Sequence, residues 1–202
     1  MLEEHPQLNE SLNKPINDMA LQTQRMQATI DDLLYIAKLE SQSGLKDIRK
    51  HHETLSVNEI VDMIMASTLP LAKNKQQNID IQINDQLVIE GNRSELQVAF
   101  DNLIVNAIRY TPEQGNISIK WHHKEKDAVL SVNDNGIGIA PNHIANLTKR
   151  FYRVDQGRSR EKGGTGLGLA IVKNVLDRHN AKLNISSNLG SGSCFECIFP
   201  RN

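Results

Sequence analysis

The sequence predicts an α+β fold, a two-layer sandwich in which helices cover one face of a mixed, largely antiparallel sheet, with a long helix ahead of it. Three observations point there. Strand-like runs stand close enough to form hairpins, at Asn116 to His123 with Ala128 to Val132 and at Lys182 to Ser187 with Ser193 to Phe199. Beside them, Leu96, Ala99, Phe100, Leu103, Ile104 and Ala107, and later Leu167, Ala170, Ile171, Val175 and Leu176, recur at helical spacing. Hairpins with amphipathic helices inserted bury the apolar face of each layer against the other. At the N-terminus, Leu12, Ile16, Met19, Thr23, Met26, Ile30, Leu33 and Ala37 step by four and three, the seam of a coiled-coil-like helix interrupted at Thr23.

Taken in order, the first helix is expected over about 11–43, with Ser11 as its cap, Pro15 tolerated near its first turn and Gly44 at its end. Its apolar seam requires a partner, either another helix or its own domain. A short strand near Glu53 to Leu55 then leads to a helix capped by Ser56 that reaches about Lys73. Strands follow near Ile79 to Ile83 and Leu87 to Glu90, ahead of the helix that carries Asn102 and Asn106. The first hairpin comes next, then a short helix after Pro141, a helix led by glycines, and the closing hairpin.

Two glycine clusters stand out, Asp134-Asn135-Gly136-Ile137-Gly138-Ile139 and Gly164-Thr165-Gly166-Leu167-Gly168-Leu169. Glycines let several backbone N–H groups converge on one anion, and the second cluster opens a helix, where unpaired amides and the dipole favour phosphate. A Walker loop would need Lys and then Ser or Thr where Leu169 and Ala170 stand, and a Rossmann loop would need a strand where the charged stretch Asp155 to Lys162 stands. The first cluster does follow a strand, and Asp134 at its end can either close an Asx-turn or accept a hydrogen bond from an exocyclic amine such as that of adenine. Asn102 and Asn106, four apart, share a face beside the core stripe, and an amide oxygen is a neutral ligand for Mg²⁺. Arg109 and Tyr110, one turn further, offer a cation and an aromatic surface.

In this order, Asn102/Asn106, the run Asp134 to Ala140, Phe151 to Asp155 and Gly163 to Val172 resemble the N, G1, F and G2 boxes of the sensor histidine kinases. These share an ATPase superfamily with gyrase B, Hsp90 and MutL. The resemblance spans roughly residues 52–202, and Gln22 to Met26, Phe151 to Arg160 and Gly166 to Asn174 look like the phosphate-starvation branch of the family. It implies an ATP-binding catalytic domain over 51–202, with an ATP lid at about 151–163. Residues 1–50 would be part of a dimerisation and histidine-phosphotransfer region, with its second bundle helix at about 11–43. Mg²⁺ would sit on Asn106, with Asn102 beside it in the ATP site. Asp134 would hold adenine, flanked by Gly136, Gly138 and Tyr110. Arg109 and Arg153 would face the phosphates, held by the loop Gly164, Thr165, Gly166, Leu167 and Gly168. Asn106, Arg109 and Arg153 would carry catalysis.

The family's acceptor histidine precedes an acidic residue and a proline on a helix, and none of His5, His51, His52, His122, His123, His143 and His179 has that context. All seven read as surface or structural residues. His122 and His123 are adjacent in a strand and face opposite ways. The chain is therefore expected to begin after its own acceptor and to act on a phosphotransfer domain of the same or a partner chain. The resemblance further implies a homodimeric, inner-membrane kinase with this part in the cytoplasm, relaying phosphate to a response regulator. A clamp-type ATPase using Asp101 or Glu95 to activate water, and a nucleotide-binding scaffold without catalysis, are the rival readings. A net charge of −1 over 202 residues gives no case for nucleic acid, and no segment is long and apolar enough to cross a bilayer. Cys194 and Cys197 lie three apart in a strand, on opposite faces, which argues against zinc or redox roles.

Overall fold

The computed structural model describes residues 6–41, 52–154 and 164–200. Helix α1 spans Pro6–Ser41, starting at Pro6 rather than at Ser11. Proline suits a first helical position, because its missing N–H would have no partner there in any case. Pro15 consequently lies inside the helix, where it removes one backbone bond. The end expected near Gly44 falls outside the described residues.

After α1 come β1 (Glu53–Ser56), α2 (Val57–Asn74), β2 (Asn78–Ile83), β3 (Val88–Gly91), α3 (Arg93–Tyr110), β4 (Asn116–Lys124) and β5 (Asp127–Asp134). The short α4 (Pro141–Ile144), α5 (Gly168–Arg178), β6 (Lys182–Asn188) and β7 (Gly192–Phe199) complete the order. Ser56 occupies the N-cap position of α2, but its side chain makes no capping bond. Asn92 does cap α3, accepting from the Glu95 amide at 3.1 Å.

Five strands form one sheet in the order β2-β4-β5-β7-β6, with β2 parallel to β4 and every other pair antiparallel. β3 is not part of it. It pairs with β1 in a separate two-stranded ribbon, Leu55 opposite Ile89. In the main sheet Ile119, Val132, Phe195 and Ile185 form one cross-strand row, and Trp121, Leu130, Cys197 and Leu183 the next. Alternation puts both rows on the same face, against α2, α3 and α5. The two helical stripes read from the sequence are buried there, and Phe100 and Trp121 both meet the Phe199 ring edge-on. By the same alternation Cys197 is buried and Cys194 is on the other face, both as free thiols that burial pushes up in pKa.

α1 packs on α5 through its C-terminal half, burying Ile36 and Leu39. Arg178 joins three helices: it pairs with both oxygens of Glu95 at 2.9 Å and donates to the Leu39 carbonyl at 3.0 Å. His179, buried at the end of α5, meets the Val175 carbonyl through Nδ1 and accepts from the Asn92 amide through Nε2. The domain-facing stripe of α1 is thus Arg25, Thr29, Asp32, Ile36 and Leu39, whereas Ile16, Met19, Met26 and Ile30 of the expected seam remain exposed. Among the described residues no helix is long and apolar enough to cross a membrane.

Candidate nucleotide site

The C-terminal half of α3 turns Asn102, Asn106 and Arg109 to one side at steps of four and three, with Tyr110 at its end, and a cleft lies between them and the start of α5. The sheet side is closed by the Ile137 to Ile139 segment, and the far wall is Tyr152 to Val154. No Asp or Glu lines it among the described residues.

Each side chain is set by local packing. Asn102 donates Nδ2 to the Val98 carbonyl at 2.9 Å, and its Oδ1 lies against Gly168, where an added Cβ would sit 2.3 Å away. Glycine at 168 is what allows α3 and α5 to approach this closely. The Asn106 amide has no hydrogen-bond partner among the described residues, so its oxygen is available to a ligand. Arg109 and Arg153 converge on Gly164: a Cβ there would lie 3.2 Å from Arg109 Nη1, and Arg153 donates to the Gly164 carbonyl. Gly166, at φ +75°, accepts from the Phe151 amide at 2.9 Å, which ties the glycine loop to the segment carrying Arg153.

Asp134 ends β5 on the helix-facing side, in the alternation of Leu130 and Val132. Its Oδ1 accepts from the Gly136 amide at 2.8 Å, the Asx-turn arrangement. Burial pushes this carboxyl above the usual range, opposed by the amides of Gly136 and Ser193. A Cβ on Gly136 would fall 2.6 Å from the Tyr110 carbonyl, and one on Gly138, at φ +66°, 1.9 Å from the Asn188 carbonyl. Both glycines therefore permit close backbone contact, reinforced by Gly190 donating to the Ile137 carbonyl at 2.8 Å.

The cleft brings together Asn102, Asn106, Arg109, Tyr110, Gly138 and Arg153, and also Gly164, Thr165, Gly166 and Gly168. Asp134, Gly136 and Leu167 are not among its lining residues. The Leu167 side chain is wholly buried, and its amide donates to Thr165 Oγ1 at 3.2 Å at the start of α5. Of the expected lid, Phe151 to Val154 are described and 155–163 lie outside the described residues. Glu95 is occupied by Arg178, Asp101 is half-buried with its pKa raised by desolvation, and neither lines the cleft.

Several supporting residues stand outside the sequence motifs. Lys75 Nζ donates to the carbonyls of Ile108, Arg109 and Thr111 at 2.8–2.9 Å, and Gln77 to those of Ile108, Thr111 and Pro112, closing the end of α3. Tyr152 bonds His143 of α4 at 2.6 Å, and Leu189 projects from a hairpin tip beside the cleft. An apolar residue in the turn Asn188-Leu189-Gly190 was a readable signal. For Lys75 there was none, because its role depends on which helix end it meets.

Residues 91–202 match the family profile described as histidine kinase-, DNA gyrase B-, and HSP90-like ATPase. The chain is 42% identical over 186 residues to the phosphate regulon sensor protein PhoR of Pseudomonas aeruginosa, covering 92% of this chain and 41% of that protein. It is 39% identical over 188 residues to PhoR of Haemophilus influenzae, covering 93% and 43%. The chain thus spans about two fifths of the length of these relatives. Among solved structures, full-length ShkA in complex with AMPPNP superposes with a TM-score of 0.73 at 22% identity, over 99% of this chain and 40% of that one.

Proposed function

Because the chain belongs to the histidine kinase-, DNA gyrase B-, and HSP90-like ATPase family, we propose that it is the ATP-binding catalytic part of a two-component sensor histidine kinase. It transfers the γ-phosphoryl group of ATP to a histidine, for relay to a response regulator. The observation that carries this reading is the cleft's chemistry: an available amide at Asn106, two guanidinium groups converging on Gly164, and no carboxylate in the lining. Such a site positions phosphates and neutralises their charge, which is most of what phosphoryl transfer asks of a protein. Asp134, which does not itself line the cleft, would take the adenine amine on its carboxylate, and Tyr110 would flank the base. The donor set suits Mg²⁺, which keeps water and phosphate ligands and needs few from protein; bound with ATP through Asn106, it would offset charge on the phosphate oxygens.

The likeness to two phosphate regulon sensor proteins supports signalling of phosphate limitation, within a dimeric inner-membrane kinase whose catalytic part faces the cytoplasm. Clamp-type hydrolysis has less support, since Glu95 is held by Arg178 and Asn102, one turn before Asn106, cannot act as a base. The test is incubation with γ-labelled ATP and a separately supplied histidine phosphotransfer domain of the same kinase. The expected product is acid-labile, base-stable phosphate on that domain and none on this chain. Steady release of free phosphate without transfer would overturn the kinase reading.

A further inference from the structure

We infer that α1 completes the nucleotide's phosphate site, with Arg25 joining Arg153 around the terminal phosphate; this rests on the ATP-binding reading above. A second cleft runs between α1 and the glycine loop, walled on the helix side by Gln22, Arg25, Met26 and Thr29. It shares Arg153, Gly164 and Thr165 with the nucleotide cleft, so both open on the same stretch of loop.

The direction of Arg25 follows from how α1 is fixed. Thr165 donates its hydroxyl to Asp32 Oδ2 at 2.7 Å, Arg178 holds the Leu39 carbonyl, and Arg150 pairs with Glu40. Arg25 precedes Asp32 by seven residues, two turns and about 10 Å along the same helix face. Pinning Asp32 to the loop therefore directs Arg25 toward it too, and the Nε of Arg25 is shielded from solvent. The cleft carries two guanidinium groups, and no acidic side chain lines it among the described residues. Asp32 adjoins it, but its oxygen is taken up by Thr165, and burial raises its carboxyl's pKa.

Two arginines beside a glycine loop select a phosphate, because the guanidinium fork matches its oxygens. A nucleotide lying in the first cleft reaches the second only with its last phosphate, so Arg25 distinguishes ATP from ADP. By reciprocity, ATP then strengthens the docking of α1 on the domain more than ADP does.

The experiment is calorimetric titration of the whole chain with Mg²⁺ and either a non-hydrolysable ATP analogue or ADP. Arg25→Gln should weaken the ATP analogue about tenfold or more while changing ADP by less than about twofold. Arg25→Lys, which keeps the charge but not the fork, should retain part of the preference. Equal losses for both nucleotides, or no loss for either, would overturn the role of Arg25 and leave the ATP site standing. Failure of the wild-type chain to bind either nucleotide would remove both.

Discussion

Asp134 combines a turn with the proposed recognition of adenine, at the cost of a partly buried charge. Its Oδ1 orders the first glycine segment by accepting from Gly136, and desolvation raises its pKa above 3.8. An acid raised in the fold holds its proton to higher pH than in the unfolded chain, so this group's contribution to stability falls as pH rises from 3.8 through the folded value. Asp134→Asn keeps an acceptor for Gly136 and removes the charge. Its thermal midpoint at about pH 7 should equal or exceed that of the native chain, with the difference gone by about pH 3, while preference for ATP over GTP is lost. Melting curves at the two pH values, paired with nucleotide titrations, check both halves; a lower midpoint at neutral pH would show that the carboxylate stabilises the fold.

At the scale of elements, the site depends on the end of α3 being held in place. Lys75 and Gln77, just beyond α2, satisfy the last carbonyls of the helix that presents Arg109 and Tyr110. Lys75→Met should lower stability by about 2–3 kcal/mol, about 5–10 °C in the melting midpoint, and weaken ATP binding through Arg109 and Tyr110. An unchanged midpoint would remove the capping role. How far sequence could foresee these elements depended on the range of the interaction. Periodicity placed α3, α5 and both hairpins, because burial on one face writes itself into neighbouring residues. Asp134 was legible because it ends a strand before glycines, although the strand runs two residues beyond Val132 to include it. The pairing of β3 with β1 was not legible, since a four-residue strand carries no mark of its partner. Nor was the hold of Lys75 on carbonyls more than thirty residues away.

Across the whole molecule, α1 has two working sides. One docks on α5 through Ile36 and Leu39 and reaches the glycine loop through Asp32. The other leaves Met19 and Met26 about two thirds exposed at 70% and 66%, along the stripe that suits a helical partner in a dimer. The seam does not meet the domain, as one of its two expected partners would require; the neighbouring stripe does, and that choice of side is set by contacts distant in sequence. The proposed function stands on one requirement, that the α3–α5 cleft hold Mg²⁺-ATP with Asn106 on the metal. The most direct measurement is calorimetric titration of the native chain and Asn106→Ala with Mg²⁺-ATP and with metal-free adenosine. The substitution should weaken Mg²⁺-ATP far more than adenosine, because only the former uses that amide oxygen. Equal losses for the two ligands, or no binding of Mg²⁺-ATP by the native chain, would contradict it.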